Sequence, residues 1–359
     1  MKRSYLKQYV FGFLLAGFLL FFLARKMDLK EVYRQLVHAN LWILLLMPLL
    51  KLLVTYVKAY RWGYAIRSVM QLPHQPKRLY SATFISFLGN LIFPARLGEL
   101  LRVQICQKNN PEISRSLALT CSVLPQIFDL LAVLVLLVLG LSIGPSGGVS
   151  FGKIALVFGA VICILLILHF FHRFYPYLES FFAPYVKYCP EKLRAPLAGM
   201  LRDINQALSL LHKWKKLLII FGLTVCVWSL ETVALTIGLT AFGIPIFPVP
   251  EVMGAGGFYV YTTPYLPALM MTTAAGLSLA FLLPLTPGAL GLYQAAAIWS
   301  LALFGIPETE ALATSLGMQA ADFLIITIMG FYFFYQEGLS LRQLRPPEES
   351  EEQAPNPAS

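Results

Sequence analysis

Charged residues are scarce in this sequence. Only 13% of its 359 residues are Asp, Glu, Lys or Arg, whereas an average soluble domain has about 25%. A soluble protein of this size covers its surface with polar groups, so the scarcity excludes a chain that folds in water. Intrinsic disorder is excluded as well, because 58% of the residues are hydrophobic. The composition therefore predicts an integral membrane protein.

The sequence also lacks the spacings of metal, disulfide and catalytic motifs. Its five cysteines form no CxxC pair, and they are Cys106, Cys121, Cys163, Cys189 and Cys226. An odd number of cysteines, most of them in apolar stretches, argues against a disulfide framework or a zinc site. Neither an HExxH motif nor a P-loop is present. We therefore expect no metal, no cofactor and no enzymatic activity.

The balance of charge is basic, with a net charge of +10. Such an excess is typical either of nucleic-acid-binding proteins or of membrane proteins with basic cytoplasmic loops. A nucleic-acid-binding surface interleaves basic and aromatic residues, and no basic run in this sequence does so. We expect no nucleic acid partner, and we assign the basic residues to cytoplasmic loops.

Six apolar stretches reach the length of about 20 residues that a bilayer span needs: 8–24, 41–60, 114–143, 151–171, 217–243 and 309–335. Two further apolar stretches, 78–106 and 264–305, are interrupted by Pro and Gly, which stop helices. The interrupting residues are Pro94, Gly98, Pro284, Pro287, Gly288 and Gly291. A broken helix survives at membrane depth only inside protein or beside a water-filled cavity. The pattern predicts an all-α integral membrane protein with about six transmembrane helices and two re-entrant broken-helix hairpins.

The positions of Lys and Arg predict the orientation of these segments. If both hairpins return to the side from which they enter, the basic segments 61–78, 96–115 and 172–216 all face the cytoplasm. The uncharged connection 144–150 and the connection 244–263, whose one charged residue is acidic, then face outward. Both chain termini are cytoplasmic in this arrangement.

Residues 1–345 are expected to form a single transmembrane domain. Within it, 173–214 has apolar positions at helical spacing among Lys and Arg, which predicts a basic amphipathic segment on the cytoplasmic surface. The acidic, Pro-rich stretch 346–359 predicts a disordered tail. The first span could instead be a signal peptide, but Ala24-Arg25-Lys26 offers no small-residue cleavage site, so we expect it to be retained.

The two interrupted stretches align with each other at a constant offset of 193 residues, with 11 identities in 38 positions and no gap. The matches that are hardest to obtain by chance are Pro94 with Pro287, Gly98 with Gly291, Gln126 with Gln319, and Asp129 with Asp322. In the orientation above, the two hairpins enter from opposite sides of the membrane. The chain is therefore predicted to contain an inverted repeat, about 8–171 and 215–337, as many transporters do. The alternative is an old duplication that was kept only for packing.

Charged residues inside the apolar stretches are the candidate functional residues. Each such residue is unfavourable at the bilayer centre by about 2.5–3.5 kcal/mol, so most face a cavity or a partner. The substrate-binding candidates are Arg96, Glu99, Arg102, Arg61, Lys58 and Asn90. The structural or proton-relay candidates are Asp129, Asp322, Glu231 and Lys51.

Two interpretations of these charges remain open. In the first, the basic residues bind an anionic headgroup in a cavity between the halves, and Glu99 orients Arg96 or accepts a hydrogen bond from the headgroup. In the second, the charges form an internal ion-pair network. Its pairs are Lys51 or Lys58 with Asp129 or Glu231, and Arg96 with Glu99. A third possibility for Lys58 and Arg61 is that they extend to the membrane interface.

A set of motifs runs along the chain: Arg61-Trp62, Asn90-x3-Pro94-x-Arg96-x-Gly98-Glu99-x2-Arg102, Asp129, and Pro284-x2-Pro287-Gly288-x2-Gly291. Together these motifs resemble the flippase-like membrane family, the transmembrane region of bacterial lysylphosphatidylglycerol synthase, over about residues 10–340. The family pattern in the last motif is Pro-Gly-Gly-x-Gly with a Glu three residues on. This chain has Ala289 and Gln294 there, so no acidic role is carried over to position 294.

The resemblance implies a multi-pass protein of the bacterial inner membrane that translocates a phospholipid or lipid-linked substrate between leaflets. Because the sequence ends at Ser359, we expect a stand-alone member without the aminoacyltransferase domain of the two-part synthases. The expected partners are membrane lipids with an anionic headgroup. One alternative is a noncatalytic membrane partner that docks a lipid synthase or glycosyltransferase through 173–216. Another is a membrane-embedded lipid-modifying enzyme, for which the sequence offers no clear acid/base pair.

Overall fold

The computed structural model describes residues 3–25, 27–70, 76–93, 96–111, 113–144, 213–244, 266–282 and 285–339, with scattered positions between 150 and 212. The regular secondary structure of these residues is helical. Pro94, Pro284, the tail 346–359 and most of the segment 173–214 lie outside the described residues.

The chain begins with four helices: α1 (Arg3–Ala24), α2 (Leu29–His38), α3 (Leu41–Leu44) and α4 (Leu46–Val69). Side-chain oxygens begin two of them, because Asp28 accepts a hydrogen bond from the backbone N–H of Lys30 and Asn40 accepts one from that of Ile43. The helix α4 continues nine residues beyond the predicted end of its span at 60. The stretch 61–69, predicted to face the cytoplasm, is therefore helical.

A helical hairpin and a long helix follow, formed by α5 (Pro76–Ile92), α6 (Gly98–Asn109) and α7 (Arg115–Ile143). Next come α8 (Ile154–Cys163), α9 (Trp214–Ala241), α10 (Leu266–Leu282), α11 (Leu292–Ala302) and α12 (Glu308–Gln336). Short 3-10 turns lie at Ser209–His212 and Pro287–Ala289. We call residues 93–97, between α5 and α6, the first break, and residues 283–291, between α10 and α11, the second break.

Four helical segments are long and apolar enough to cross a membrane: Leu41–Val69, Arg115–Ile143, Trp214–Ala241 and Glu308–Gln336. A fifth candidate combines Val10–Ala24 with α2, and the two parts are bent by 97° relative to each other. The predicted span 151–171 is represented among the described residues by α8, which at ten residues is shorter than a full span. The protein is thus an all-helical multi-pass membrane protein with four or five candidate spans in its described part.

Each helical hairpin packs against the long helix that follows the other hairpin. Within each hairpin the arms pack against each other, α5 against α6 and α10 against α11. The first arm of each hairpin also packs against the long helix that follows the other hairpin, so that α5 lies on α12 and α10 lies on α7. The rings of Tyr80, Phe84 and Phe333 fill the first of these contacts, with centroids 5.0–5.8 Å apart. The helix α4 packs against α9 and also contacts both α7 and α12.

Local structure repeats at the offset of 193 residues found in the sequence. Shifting α6 and α7 by this offset gives 291–302 and 308–336, and the corresponding helices are Leu292–Ala302 and Glu308–Gln336. Two residues other than glycine have left-handed backbone in the described chain, Arg96 with φ 54° and Ala289 with φ 59°. These two residues are also 193 positions apart.

Candidate functional site

A cavity of about 280 Å³ lies where the two breaks approach each other. Side chains from α4, α5, α6, α7, α9, α10, α11 and α12 line it, together with residues of both breaks. Nine of the candidate residues predicted from sequence line this cavity: Lys51, Lys58, Asn90, Arg96, Glu99, Asp129, Glu231, Gly288 and Asp322. Residues from distant parts of the sequence therefore meet in one polar site within an apolar protein.

Two lysines of α4 form ion pairs with carboxylates from other helices. The Lys51 Nζ atom lies 3.0 Å from Asp322 Oδ2 and 3.7 Å from Glu231 Oε2. The Lys58 Nζ atom lies 2.6 Å from Glu231 Oε1. The sequence had proposed a lysine pair with Glu231, but it had not identified Asp322 as a partner of Lys51.

Arg61 makes the most extensive polar contacts of α4. Its Nη1 and Nη2 atoms donate to Asp129 Oδ1 and Oδ2 at 2.7 and 2.6 Å, and Nη1 also donates to Thr224 Oγ1 at 2.8 Å. The indole nitrogen of Trp228 donates to Asp129 at 3.3 Å. Arg61 is only 3% exposed, so it neither lies in a loop nor extends to the membrane interface. The bidentate geometry instead fixes α4 against α7.

Three of the four cations of α4, Lys51, Lys58 and Arg61, are thus matched by carboxylates on α7, α9 and α12. Burying a charge among apolar helices is unfavourable unless an opposite charge compensates it, and ion pairing supplies that compensation. For these residues the geometry agrees with the internal ion-pair network, although Asp129 pairs with Arg61 and not with a lysine. Lys58 and Arg61 are therefore engaged by protein carboxylates in this structure.

The first break is tied together by short polar contacts. The Asn90 Oδ1 atom accepts a hydrogen bond from the Gly98 backbone N–H at 3.0 Å, which joins the end of α5 to the start of α6. A side chain at position 98 would collide with the Ser86 carbonyl oxygen, so only glycine fits there. Arg102 lies 3.2 Å from Glu99 and 5.2 Å above the ring of Trp62.

Arg96 differs from the other cations that line the cavity. The predicted pairing of Arg96 with Glu99 is not formed, because Glu99 binds Arg102. In the part of the chain that the structure describes, Arg96 makes no ion pair and no side-chain hydrogen bond. Its φ of 54° lies in the left-handed region, which is unfavourable by about 1–3 kcal/mol for a residue with a side chain. Strain of this kind is concentrated at ligand-binding and active sites.

The second break is closed by two buried glutamines. The Gln294 Oε1 atom accepts a hydrogen bond from the Gly291 backbone N–H at 2.8 Å, and its Nε2 atom donates to Gln319 Oε1 at 2.6 Å. The Gln319 Nε2 atom in turn donates to the Gly288 carbonyl oxygen at 2.9 Å. Gln294, at the position where the family pattern has a Glu, therefore acts as a neutral bridge in the described structure.

Gln126 and Gln319 were noticed in the sequence only as matching positions of the repeat. The signal that could have identified them was the repeated Gln-x-x-Asp spacing, which places each glutamine one helical turn before a carboxylate that lines the cavity. Gln126 itself lines the cavity. Among the described residues, no group of three or more His, Cys, Asp or Glu side chains could hold a metal ion.

Comparison with known proteins identifies the family. Residues 9–330 match the family described as the lysylphosphatidylglycerol synthase TM region. No curated protein and no solved structure matches the chain. The matched range contains both hairpins and every residue that lines the cavity, so the resemblance expected from the motifs is confirmed. The chain belongs to the family of the lysylphosphatidylglycerol synthase TM region.

Proposed function

We propose that this protein moves a phospholipid or a lipid-linked substrate between the leaflets of the bacterial inner membrane. The observation that carries the proposal is a polar cavity between two broken hairpins, lined by Arg96, which pairs with no carboxylate among the residues that the structure describes. A lipid headgroup is polar and must be shielded from the hydrocarbon core when it crosses. A cavity at the breaks provides that shielding, and the acyl chains can stay in the bilayer.

The size of the cavity favours a headgroup over a whole lipid. Small-molecule pockets span roughly 300–1,000 Å³, and about 280 Å³ lies just below that range. The polar part of one lipid fits such a volume, whereas two acyl chains do not. No catalytic step is proposed for this chain.

The proposed architecture is an inverted repeat with about six spans and two re-entrant hairpins. It is supported by the shared left-handed residues Arg96 and Ala289, by the equivalent helix boundaries, and by the exchanged packing of α5 on α12 and α10 on α7. The proposed orientation has both termini in the cytoplasm, because that arrangement puts the basic segments on the cytoplasmic side. The substrate site then lies where the two halves meet, as in other transporters built from inverted repeats.

The candidate residues take different roles in this proposal. Arg96 binds the anionic headgroup, and Asn90 holds the break that presents Arg96. Glu99 and Arg102 form a pair that supports the wall beside it. The ion pairs of α4 hold the helices around the cavity, and the two carboxylates beside Lys51, Asp322 and Glu231, are the proposed proton carriers.

Leaflet exchange in liposomes tests the proposal. Wild-type protein is reconstituted with a fluorescent anionic phospholipid, and exchange is followed by quenching of the outer leaflet. We expect Arg96→Ala to slow exchange by roughly 10–100-fold, because a hydrogen bond to a charged group contributes about 1.5–3 kcal/mol. Arg34→Ala is the control, since Arg34 is an exposed residue of α2 that pairs with Glu31. Absence of exchange by the wild type across a panel of lipids would contradict the proposal.

A second candidate function is a noncatalytic membrane partner of a lipid synthase or glycosyltransferase. It is favoured by the ion pairs of α4, because charges paired within the protein can hold its helices together without binding a substrate. In that case the wild type exchanges no lipid, and Arg96→Ala leaves the output of the partner enzyme unchanged in cells. Assays of exchange and of partner output therefore separate the two functions.

A further inference from the structure

Four of the charges that line the cavity form one connected cluster. The Lys51 Nζ atom lies 3.0 Å from Asp322 Oδ2 and 3.7 Å from Glu231 Oε2. The Lys58 Nζ atom lies 2.6 Å from Glu231 Oε1. Glu231 is therefore shared by the two lysines, and Lys51 is shared by the two carboxylates. When all four groups are ionised, the positive and negative charges cancel and the net charge of the cluster is zero.

The carboxylates of the cavity differ in how many of their oxygens are engaged. Each oxygen of Glu231 faces one lysine, and both oxygens of Asp129 accept hydrogen bonds from Arg61. Asp322 accepts a hydrogen bond from Lys51 through Oδ2 alone. Its Oδ1 atom accepts no hydrogen bond within the part of the chain that the structure describes. The Asp322 side chain is 20% exposed and lines the cavity, so Oδ1 is available to a proton that reaches the cavity.

Two of the cavity carboxylates cannot lose their charge without leaving a buried cation unpaired. If Asp129 were neutral, Arg61, which is 3% exposed, would have no ion pair among the described residues. If Glu99 were neutral, the same would hold for Arg102, which is 7% exposed. Removing one partner of a buried ion pair is strongly unfavourable, because the remaining charge is uncompensated. We therefore expect Asp129 and Glu99 to stay ionised.

The two carboxylates of the lysine cluster differ in the same respect. A neutral Glu231 would leave Lys58 without an ion pair in the described structure. A neutral Asp322 would leave Lys51 beside Glu231, which lies 3.7 Å away. Asp322 is thus the carboxylate of the described cavity that can lose its charge while each paired cation keeps an ion pair.

We infer that Asp322 is the proton-binding group of the cavity, and that its protonation passes Lys51 from Asp322 to Glu231. In this step a hydronium ion gives its proton to Asp322 Oδ1, which forms an O–H bond and leaves a water molecule. The net charge of the cluster then changes from zero to +1. The inference rests on the proposed function for the role of this proton in transport, and it narrows the two proposed proton carriers to one.

The titratable groups that face Asp322 come from the helices packed against α12. The helix α4 contributes Lys51 and Lys58, α9 contributes Glu231, and α11 contributes Tyr293. The described residues of α2 and α5 contribute no titratable side chain to the cavity lining. The other charged residues of the lining are Arg96, Glu99 and Asp129. Since a tyrosine is uncharged near neutral pH, the two lysines and Glu231 are the charges nearest to Asp322.

Protonation of Asp322 couples to the charge of the substrate. A cavity that gains one positive charge binds an anion more tightly, and an anion in the cavity favours the proton on Asp322 by the same factor. A proton and an anionic headgroup should therefore enter and leave the cavity together, one proton for each negative charge. Under a pH gradient, the lipid should collect in the leaflet that faces the more alkaline compartment.

Infrared difference spectroscopy on the full chain in detergent detects the proton without any transport step. A protonated carboxyl group has a C=O stretching band that an ionised carboxylate lacks. As the pH is lowered, the band that is missing in Asp322→Asn should appear in the wild type at a higher pH than the bands missing in Glu231→Gln and Asp129→Asn. Asp322→Glu keeps a carboxyl group and should keep the early band. An early band that is lost in Glu231→Gln and retained in Asp322→Asn would overturn the assignment.

Liposomes with a pH gradient test the coupling. The probe is a fluorescent phospholipid with one negative charge, and its distribution between leaflets is measured by quenching of the outer leaflet. With one proton for each lipid, a gradient of about one pH unit should support accumulation of up to about tenfold in the leaflet on the alkaline side. Glu308→Gln is the control, because Glu308 is an exposed carboxylate in the first turn of α12 that does not line the cavity. This variant should accumulate lipid as the wild type does.

The outcomes separate the coupling from the transport function. Asp322→Asn should bring the label at most to equal amounts in the two leaflets, and accumulation as strong as that of the wild type would overturn the role of Asp322. Exchange by the wild type without accumulation would overturn the coupling. Absence of any exchange would refute the transport function, and the infrared titration would still decide whether Asp322 is the proton-binding group.

Discussion

Each of the two breaks contains one left-handed residue other than glycine, but the polar contacts around these residues differ. Arg96 and Ala289 have nearly the same left-handed φ and occupy equivalent positions. At the second break, buried glutamines use all their contacts inside the protein, from Gly291 through Gln294 to Gln319. At the first break, the arginine in the described structure has no ion pair. The difference teaches that a left-handed residue at a helix break can lie in a region closed by hydrogen bonds or can carry a charged side chain, depending on the residues around it.

The largest expected effect concerns the scaffold that holds the first break. Asp129→Ala leaves Arg61 buried without its bidentate partner, and we expect the free energy of unfolding to fall by about 3–5 kcal/mol. Asp322→Ala, at the equivalent position, should have a smaller effect, because Lys51 still has Glu231 at 3.7 Å. Denaturant titration in detergent micelles measures the free energy of unfolding of both variants.

A double variant is the control for this prediction. Replacing both Arg61 and Asp129 by leucine removes the charges together, and the double variant should recover most of the stability that Asp129→Ala loses. Equal losses in the free energy of unfolding for Asp129→Ala and Asp322→Ala would contradict the prediction. Asp129 is the bidentate partner of Arg61, whereas Lys51 has Glu231 as well as Asp322.

An intermediate effect is expected at the two equivalent glutamines. Gln319→Leu removes the hydrogen bond to the Gly288 carbonyl and leaves the Gln294 amide unpartnered, so we expect a loss of about 1–3 kcal/mol in the free energy of unfolding. Gln126→Leu removes no hydrogen bond in the described structure and should stay within about 0.5 kcal/mol of the wild type. Denaturant titration in detergent micelles compares the free energies of unfolding of the two variants. If Gln126→Leu proved as destabilising as Gln319→Leu, the first break would be closed in the same way as the second.

The smallest expected effect comes from relieving the left-handed backbone. Ala289→Gly removes strain of about 1–2 kcal/mol but also makes the unfolded chain more flexible, so we expect a net gain of only about 0.5–1 kcal/mol. Arg96→Gly should gain more, since it also removes an uncompensated charge. Thermal unfolding midpoints of the two variants in the same detergent measure the difference. A larger gain at Ala289 would indicate that Arg96 is already stabilised by a contact inside the protein.

Much of the fold could be predicted from the sequence because hydrophobicity and helix breaking are local properties. The apolar stretches 114–143 and 309–335 agree closely with α7 and α12. The alignment of Gly98 with Gly291 gave the register in which the helix boundaries and the left-handed residues match. The helix α4 continues beyond the predicted end of its span at 60, because a charge such as that of Arg61 can lie inside a helix when a distant carboxylate compensates it.

Of the ion pairs considered from the sequence, the pairing of a lysine with Glu231 is formed in the described structure, whereas Asp129 and Glu99 have other partners. The sequence placed Arg96, Glu99 and Arg102 together at the first break, and spacing alone allowed Glu99 to bind either arginine. The choice of Arg102 depends on the Trp62 ring beneath its guanidinium and on the left-handed turn at Arg96. Neither feature has a local signature in the sequence.

The sequence by itself determined that this protein is helical, lies in a membrane, and contains two helix breaks, because these properties depend on composition and on residues close together in the chain. Tertiary structure alone decided which charges compensate each other. Lys51 meets Asp322 across 271 positions, and Lys58 meets Glu231 across 173. Ion pairing depends on distance in space and on exclusion of water, so only the packed helices could leave Arg96 as the cation without a partner in the described cavity.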